Sequence, residues 1–165
     1  STTMGYMIGG TSILTTNKDG KEILRIPKNH RRATRAPTKL PGPDQPRRST
    51  PVVGHEAAQI EASARIGAAG VELHTGAYCD YHYEGNFAKR DAELAALIEG
   101  ATLAHSLGLE VHAGHGLTFE TVKPIAAIPE VMELNIGHFL MAESLFIGME
   151  AAILQMRALM DEVRG

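Results

Sequence analysis

Residues 109–116 read Leu-Glu-Val-His-Ala-Gly-His-Gly (LEVHAGHG), and the fold turns on them. Leu109, Val111 and Ala113 alternate with Glu110 and His112, the period-two pattern of a β-strand. Gly114 and Gly116 then close the run, with His115 between them. Glycines at a strand end let backbone pass close to something. Histidines there point to proton transfer, metal binding or anion binding.

The pattern recurs twice. Glu72-Leu73-His74-Thr75-Gly76 and Glu133-Leu134-Asn135-Ile136-Gly137 align with Glu110-Val111-His112-Ala113-Gly114. Each runs acid, apolar, His or Asn, small or apolar, then Gly. Side chains alternate faces along a strand, so Glu72, His74, Glu110, His112, Glu133 and Asn135 are predicted on one face. Leu73, Val111, Leu134 and Ile136 are predicted on the other, beneath helices. A parallel sheet covered on both sides is apolar on both. One acidic, imidazole-bearing face suits instead a barrel interior near its mouth, or a wet site. Glu110 and Glu133 are read as structural polar partners within that face.

Working outward, helical spacing is predicted over 55–69, 91–107, 119–127 and 142–163, with strands over 71–75, 109–113 and 131–136. A loop rich in Tyr, Asp and Gly is predicted between the first strand and Phe87. Alternating strands and helices mean βαβ units and a parallel sheet. With polar interior ends, they read as the C-terminal portion of a TIM (β/α)₈ barrel, about three βα units. His115 and His138 each follow a glycine at consecutive strand–loop junctions. Phosphate often binds at the loops after strands seven and eight of such barrels, and Gly116 and Gly137 let backbone N–H groups approach it.

Upstream the character changes. Residues 1–50 carry ten Lys/Arg and three Asp/Glu; residues 51–165 carry six and sixteen, within an overall net charge of -3. The division is therefore 1–50 and 51–165. Two β-prone runs flank Asp19-Gly20 and read as a hairpin. Residues 28–50 contain Pro37, Pro41, Pro43 and Pro46 with one large apolar residue, Leu40, and are predicted disordered. Arg31, Arg32, Arg35 and Lys39 have no interleaved aromatic residues to stack bases, so they are read as a solvated linker and no nucleic-acid partner is expected.

Composition excludes little else. The chain is 44% apolar and 21% charged, ordinary for a globular domain. No apolar run nears the roughly 18 residues of a membrane span, and no signal-peptide pattern opens the sequence. The single cysteine, Cys79, fits a reducing compartment, and the cytoplasm is expected.

Four stretches carry a family resemblance: VELHTGAY (71–78), LGLEVHAGHGLT (107–118), IAAIPEVMELNIGH (125–138) and RALMDEVRG (157–165). From about Gln59 onward the chain resembles the C-terminal part of pyridoxine 5'-phosphate synthase. Gly-His-Gly, Ile-Pro-Glu and Asn-Ile-Gly-His fall in the family's order, with a short insertion around 81–86. That family is a TIM barrel in vitamin B6 biosynthesis. It condenses 1-deoxy-D-xylulose 5-phosphate with 3-amino-2-oxopropyl phosphate into pyridoxine 5'-phosphate, phosphate and water, without metal or redox cofactor. The resemblance makes His115 the catalytic proton donor and Glu72 the transition-state stabiliser. It makes Gly116, Gly137 and His138 the holders of the aminoketone phosphate.

The family's N-terminal motifs, Asn-x-Asp-His, His-x-Arg and Asn-Leu-Glu-Met, do not occur in residues 1–58. The expectation is therefore that residues 1–50 are unrelated sequence joined by truncation or frame shift, and that about five strands of the eight are absent. The chain alone is expected to be weakly active or inactive. Two other readings stand beside this one. An open sheet edge fits a phosphate-binding or assembly fragment, forming a homo-oligomer or joining a missing barrel half. His74, His112, His115 and His138 have the residue type of a zinc hydrolase. However, His112 and His115 lie on opposite sides of a straight strand and no His-x-x-x-His pattern occurs, so no metal ligand is assigned.

Overall fold

The computed structural model describes residues 49–164 in full. Upstream of these it gives the backbone of four short strands, β1 (Gly5–Ile8), β2 (Thr11–Ser12), β3 (Leu14–Thr16) and β4 (Glu22–Leu24). The Pro- and Arg-rich stretch before residue 49 lies outside the described residues. The fully described part runs β5 (Val52–Val53), α1 (Ala57–Arg65), β6 (Gly70–His74), α2 (Gly76–Tyr83), α3 (Phe87–Ser106), β7 (Glu110–Gly114), α4 (Val122–Ala126), β8 (Val131–Asn135), α5 (His138–Ile147) and α6 (Met149–Arg164).

It is an α/β fold. Strands β5, β6, β7 and β8 pair parallel in that order, and β1 pairs parallel with the far side of β8. β2 pairs antiparallel with β1, and β3 with β4 in a separate two-stranded sheet. β5 adds a strand that sequence periodicity missed, because two residues are too short to show a period.

The rungs between β6 and β7 follow the predicted alignment: Glu72 pairs with His112 and His74 with Gly114. On β8 the register slips. Val111 pairs with Val131, but His112 pairs with Glu133, so Met132 is an extra residue in a bulge. Strict alternation would group Val131 with Glu133 and Asn135 on the polar face. The bulge instead turns Val131 to the core, where it is fully buried beside Leu134.

Val71, Leu73, Val111, Ala113, Val131 and Leu134 form the apolar side of the sheet, and the helices cover it. α1 contributes Ile60, α3 contributes Leu97, Ala101 and Ala104, α4 contributes Val122 and Ile125, and α6 contributes Ala152, Met156 and Met160. Burial of whole aliphatic side chains stabilises by about 1.5–3 kcal/mol each before chain entropy is charged. α3 starts where the Asn86 side chain accepts from the Lys89 N–H at 3.3 Å, and stops before Gly108 at φ 78°. At the other end of the fold, the Arg164 guanidinium reaches the carbonyls of Ile128, Pro129 and Val131. It ties α6 to the start of β8, and burial lowers its pKa.

Two elements correct the sequence reading. The stretch after β6 is a helix, α2, not a loop. Gly, Tyr, Asp and His are poor helix formers, so propensity gives no signal. Tertiary contacts hold it instead: Tyr78 is buried and its hydroxyl donates to the Thr121 carbonyl at 3.2 Å. The single C-terminal helix predicted over 142–163 is two helices. Gly148, at φ 87° and ψ 148°, breaks the chain between α5 and α6.

Candidate active site

Parallel pairing brings the C-terminal ends of β6, β7 and β8 to one edge, where His74, Gly114 and Asn135 share a rung. Two residues down each strand, Glu72, His112 and Glu133 share another. A pocket of about 550 Å³ opens above them. Glu72, His74, His115, Gly116, Asn135, Gly137 and His138 form its polar wall, and Leu117, Ile136 and Phe139 contribute to its apolar wall.

The Glu72 carboxylate points along the sheet into the notch that Gly114 leaves open. Asn135 Nδ2 donates to Glu72 Oε2 at 2.7 Å and so fixes that carboxylate. A carboxylate only accepts, so the amide nitrogen must face it. Asn135 Oδ1 is buried and has no hydrogen-bond partner among the described residues.

His115 begins the loop after β7 with φ 84°, a left-handed conformation rare outside glycine. Thr75 holds it there: its hydroxyl is 2.7 Å from the Gly114 carbonyl and 2.6 Å from the His115 carbonyl. Thr75 is fully buried. Gly116 follows at φ 79°, packed so closely on α2 that a Cβ would lie 3.2 Å from Cys79 Cβ. Gly137 and His138 open α5, whose first N–H groups face no acceptor within the helix. A Cβ at Gly137 would meet nothing within 4 Å. This glycine leaves open space at the helix start rather than relieving a clash.

Each residue expected from sequence, His115, Glu72, Gly116, Gly137 and His138, therefore lines the same pocket. His112 does not. Its Nε2 is 3.0 Å from Glu110 Oε1, which is exposed, and its Nδ1 is 4.0 Å from Glu133 Oε1. The zinc reading needs His112 beside the other three histidines, and only His74, His115 and His138 line the pocket. Among the described residues no three His, Cys, Asp or Glu side chains are grouped to hold a metal ion. Cys79 is buried in α2, and desolvation pushes its thiol pKa up, against a nucleophilic role. The strand pattern places His74 and Asn135 on the polar face, with His74 a candidate only in the zinc reading and Asn135 without a role, and it does not single out Thr75. Their contacts cross between strands, which no single-strand pattern reveals.

Comparison with known proteins gives a consistent picture. Residues 43–162 match the family model described as Pyridoxal phosphate biosynthesis protein PdxJ, extending the similarity upstream of Gln59. A pyridoxine 5'-phosphate synthase of Roseobacter denitrificans is 68% identical over 112 residues, which are 68% of this chain and 45% of that protein. Those of Jannaschia sp. and Ruegeria pomeroyi are 66% identical over 112 residues and 68% identical over 106, covering 68% and 64% of this chain and 45% and 43% of the relatives. The chain thus spans just under half the length of the curated relatives it matches.

Proposed function

Because the chain belongs to the PdxJ family of pyridoxal phosphate biosynthesis proteins, we propose that its pocket serves the synthesis of pyridoxine 5'-phosphate, the activity its relatives are named for. The observation that carries this reading is the convergence of Glu72, His115, Gly116, Gly137 and His138 on one pocket from three strand ends. We read the parallel strands as part of a (β/α)₈ barrel, whose active sites lie at the C-terminal ends of the strands.

The substrates in this reading are 1-deoxy-D-xylulose 5-phosphate and 3-amino-2-oxopropyl phosphate. Closing a pyridine ring from them takes repeated proton transfers to and from oxygen. His115 is the proton donor, because an imidazole exchanges protons near neutral pH and its ring faces the pocket. Glu72 stabilises positive charge developing at the substrate nitrogen, and its carboxylate is already oriented by Asn135. The start of α5 and the bare backbone at Gly116 and Gly137 take the aminoketone phosphate, with His138 beside it. No metal or redox cofactor is assigned a step. Self-association through the outer strands, or pairing with further barrel strands, is part of this proposal, as is a cytoplasmic setting. Among the described residues no helix is long and apolar enough to cross a membrane.

Titrating the ¹⁵N-labelled chain with 3-amino-2-oxopropyl phosphate tests the site. The amide signals of His115, Gly116, Gly137 and His138 are expected to move together. Signals that stay fixed there would overturn the reading. Adding the second substrate and assaying for pyridoxine 5'-phosphate separates a catalytic chain from one that binds phosphate without turnover. Any turnover is expected to vanish in Glu72→Gln and His115→Asn.

A further inference from the structure

We propose that His74 is a positioning residue for His115, holding the proton-donor ring in one orientation toward the pocket. The proposal rests on the reading of His115 as proton donor.

Three consecutive residues at the end of β6 each act on His115. The His74 ring stacks on the His115 ring, with centroids 4.3 Å apart and planes at 28°. The Thr75 hydroxyl clamps the His115 carbonyl at 2.6 Å. Gly76 clears the space for both rings: a Cβ there would lie 2.5 Å from His74 Cε1 and 3.1 Å from His115 Cδ2. The His74 ring is itself pinned, because the Gly76 N–H donates to its Nδ1 at 3.3 Å.

An exposed imidazole on a loop ordinarily samples several rotamers. A proton donor works only within hydrogen-bond reach and in the right direction. Thr75 fixes the backbone of His115 but leaves both side-chain torsions free. The stack with His74 restrains the ring, and the N–H pin restrains His74 in turn. His74 is exposed, so replacing it removes little from the core.

The test compares His74→Phe, His74→Asn and His74→Ala with the unmodified 165-residue chain, using ¹³C,¹⁵N-histidine NMR. Ring-current displacement of the His115 Cδ2–H signal reports the stack, and the Gly76 amide signal reports the pin. The His115 signal is expected to be displaced in the unmodified chain and in His74→Phe. It is expected to collapse toward the free-imidazole position in His74→Ala and His74→Asn. Asn is expected to retain the Gly76 signal, since its side-chain oxygen replaces Nδ1 as acceptor. A His115 signal unchanged in His74→Ala overturns the proposal, whatever the product assay returns. Where the chain turns over, His74→Ala is expected to lower kcat about 10²-fold at unchanged KM, with recovery in His74→Phe. Equal kcat in the two variants also overturns it. Absence of product with the stack intact counts against the proposed function alone.

Discussion

The Glu72 carboxylate occupies the space that a side chain at Gly114 would need: a Cβ there would lie 2.6 Å from Glu72 Oε1. It would also lie 2.8 Å from the Asn135 carbonyl oxygen and 2.9 Å from Asn135 Cβ. Rotating Glu72 away relieves only the first of these contacts. Gly114→Ala is therefore expected to push β8 away from β7, break the Asn135–Glu72 hydrogen bond and cost about 1–3 kcal/mol. Urea unfolding checks the stability. An unchanged midpoint would show that the strands yield more easily than the packing implies.

His115 has a backbone conformation that suits glycine better than histidine, and such left-handed residues cost about 1–2 kcal/mol. His115→Gly is expected to match or exceed the unmodified chain in stability. His115→Ala is expected to fall about 1 kcal/mol below the glycine variant, since alanine keeps the strain without the ring. Thermal unfolding of the three chains would rank them. Alanine above glycine would mean that the conformation carries no strain.

Burial pushes the Tyr78 phenol from 10.0 up to about 12, with a smaller contribution from neighbouring Cys79. The folded chain keeps this proton between those two values while the unfolded chain releases it. Stability from this group is therefore full below pH 10 and declines as pH rises toward 12, by about 2–3 kcal/mol in all. Tyr78→Phe is expected to remove that decline. At neutral pH it is expected to cost about 1 kcal/mol for the lost bond to the Thr121 carbonyl. The difference between the two chains, measured by urea unfolding from pH 8 to 11, isolates the phenol from other alkaline titrations. Parallel curves would assign the decline to other groups.

Gly148 combines φ 87° with ψ 148°, a region closed to residues bearing a Cβ. A Cβ there would meet nothing within 4 Å, so packing does not oppose a substitution. Gly148→Ala is expected to destabilise by about 1–3 kcal/mol through backbone strain alone. The alternative outcome is a fused α5–α6 helix at little cost, visible as a gain in helical circular dichroism.

The strand pattern was legible because three strands repeat one alternation, and β6 and β7 keep it rung by rung. The pocket was legible through the Gly-His-Gly and Gly-His pairs at strand ends. What stayed hidden depends on contacts between elements. α2 is a helix because Tyr78 and Cys79 are buried against the loop after β7, not because its residues favour helix. The break at Gly148 is a single backbone angle inside an otherwise helical period. Asn135 and His74 acquire meaning only once Glu72 and His115 are their neighbours on adjacent strands.

The bulge at Met132 gives β8 a spare residue. In a regular strand, losing one residue turns everything beyond it inside out. Here Val131 already faces the core, and Glu133, Leu134 and Asn135 already pair as if Met132 were absent. Deleting it would repair the ladder rather than shift its frame, and Asn135 would still meet Glu72. The pocket wall on this strand is thereby insulated from single-residue length changes lower down, a tolerance that the unbroken β6–β7 ladder does not share.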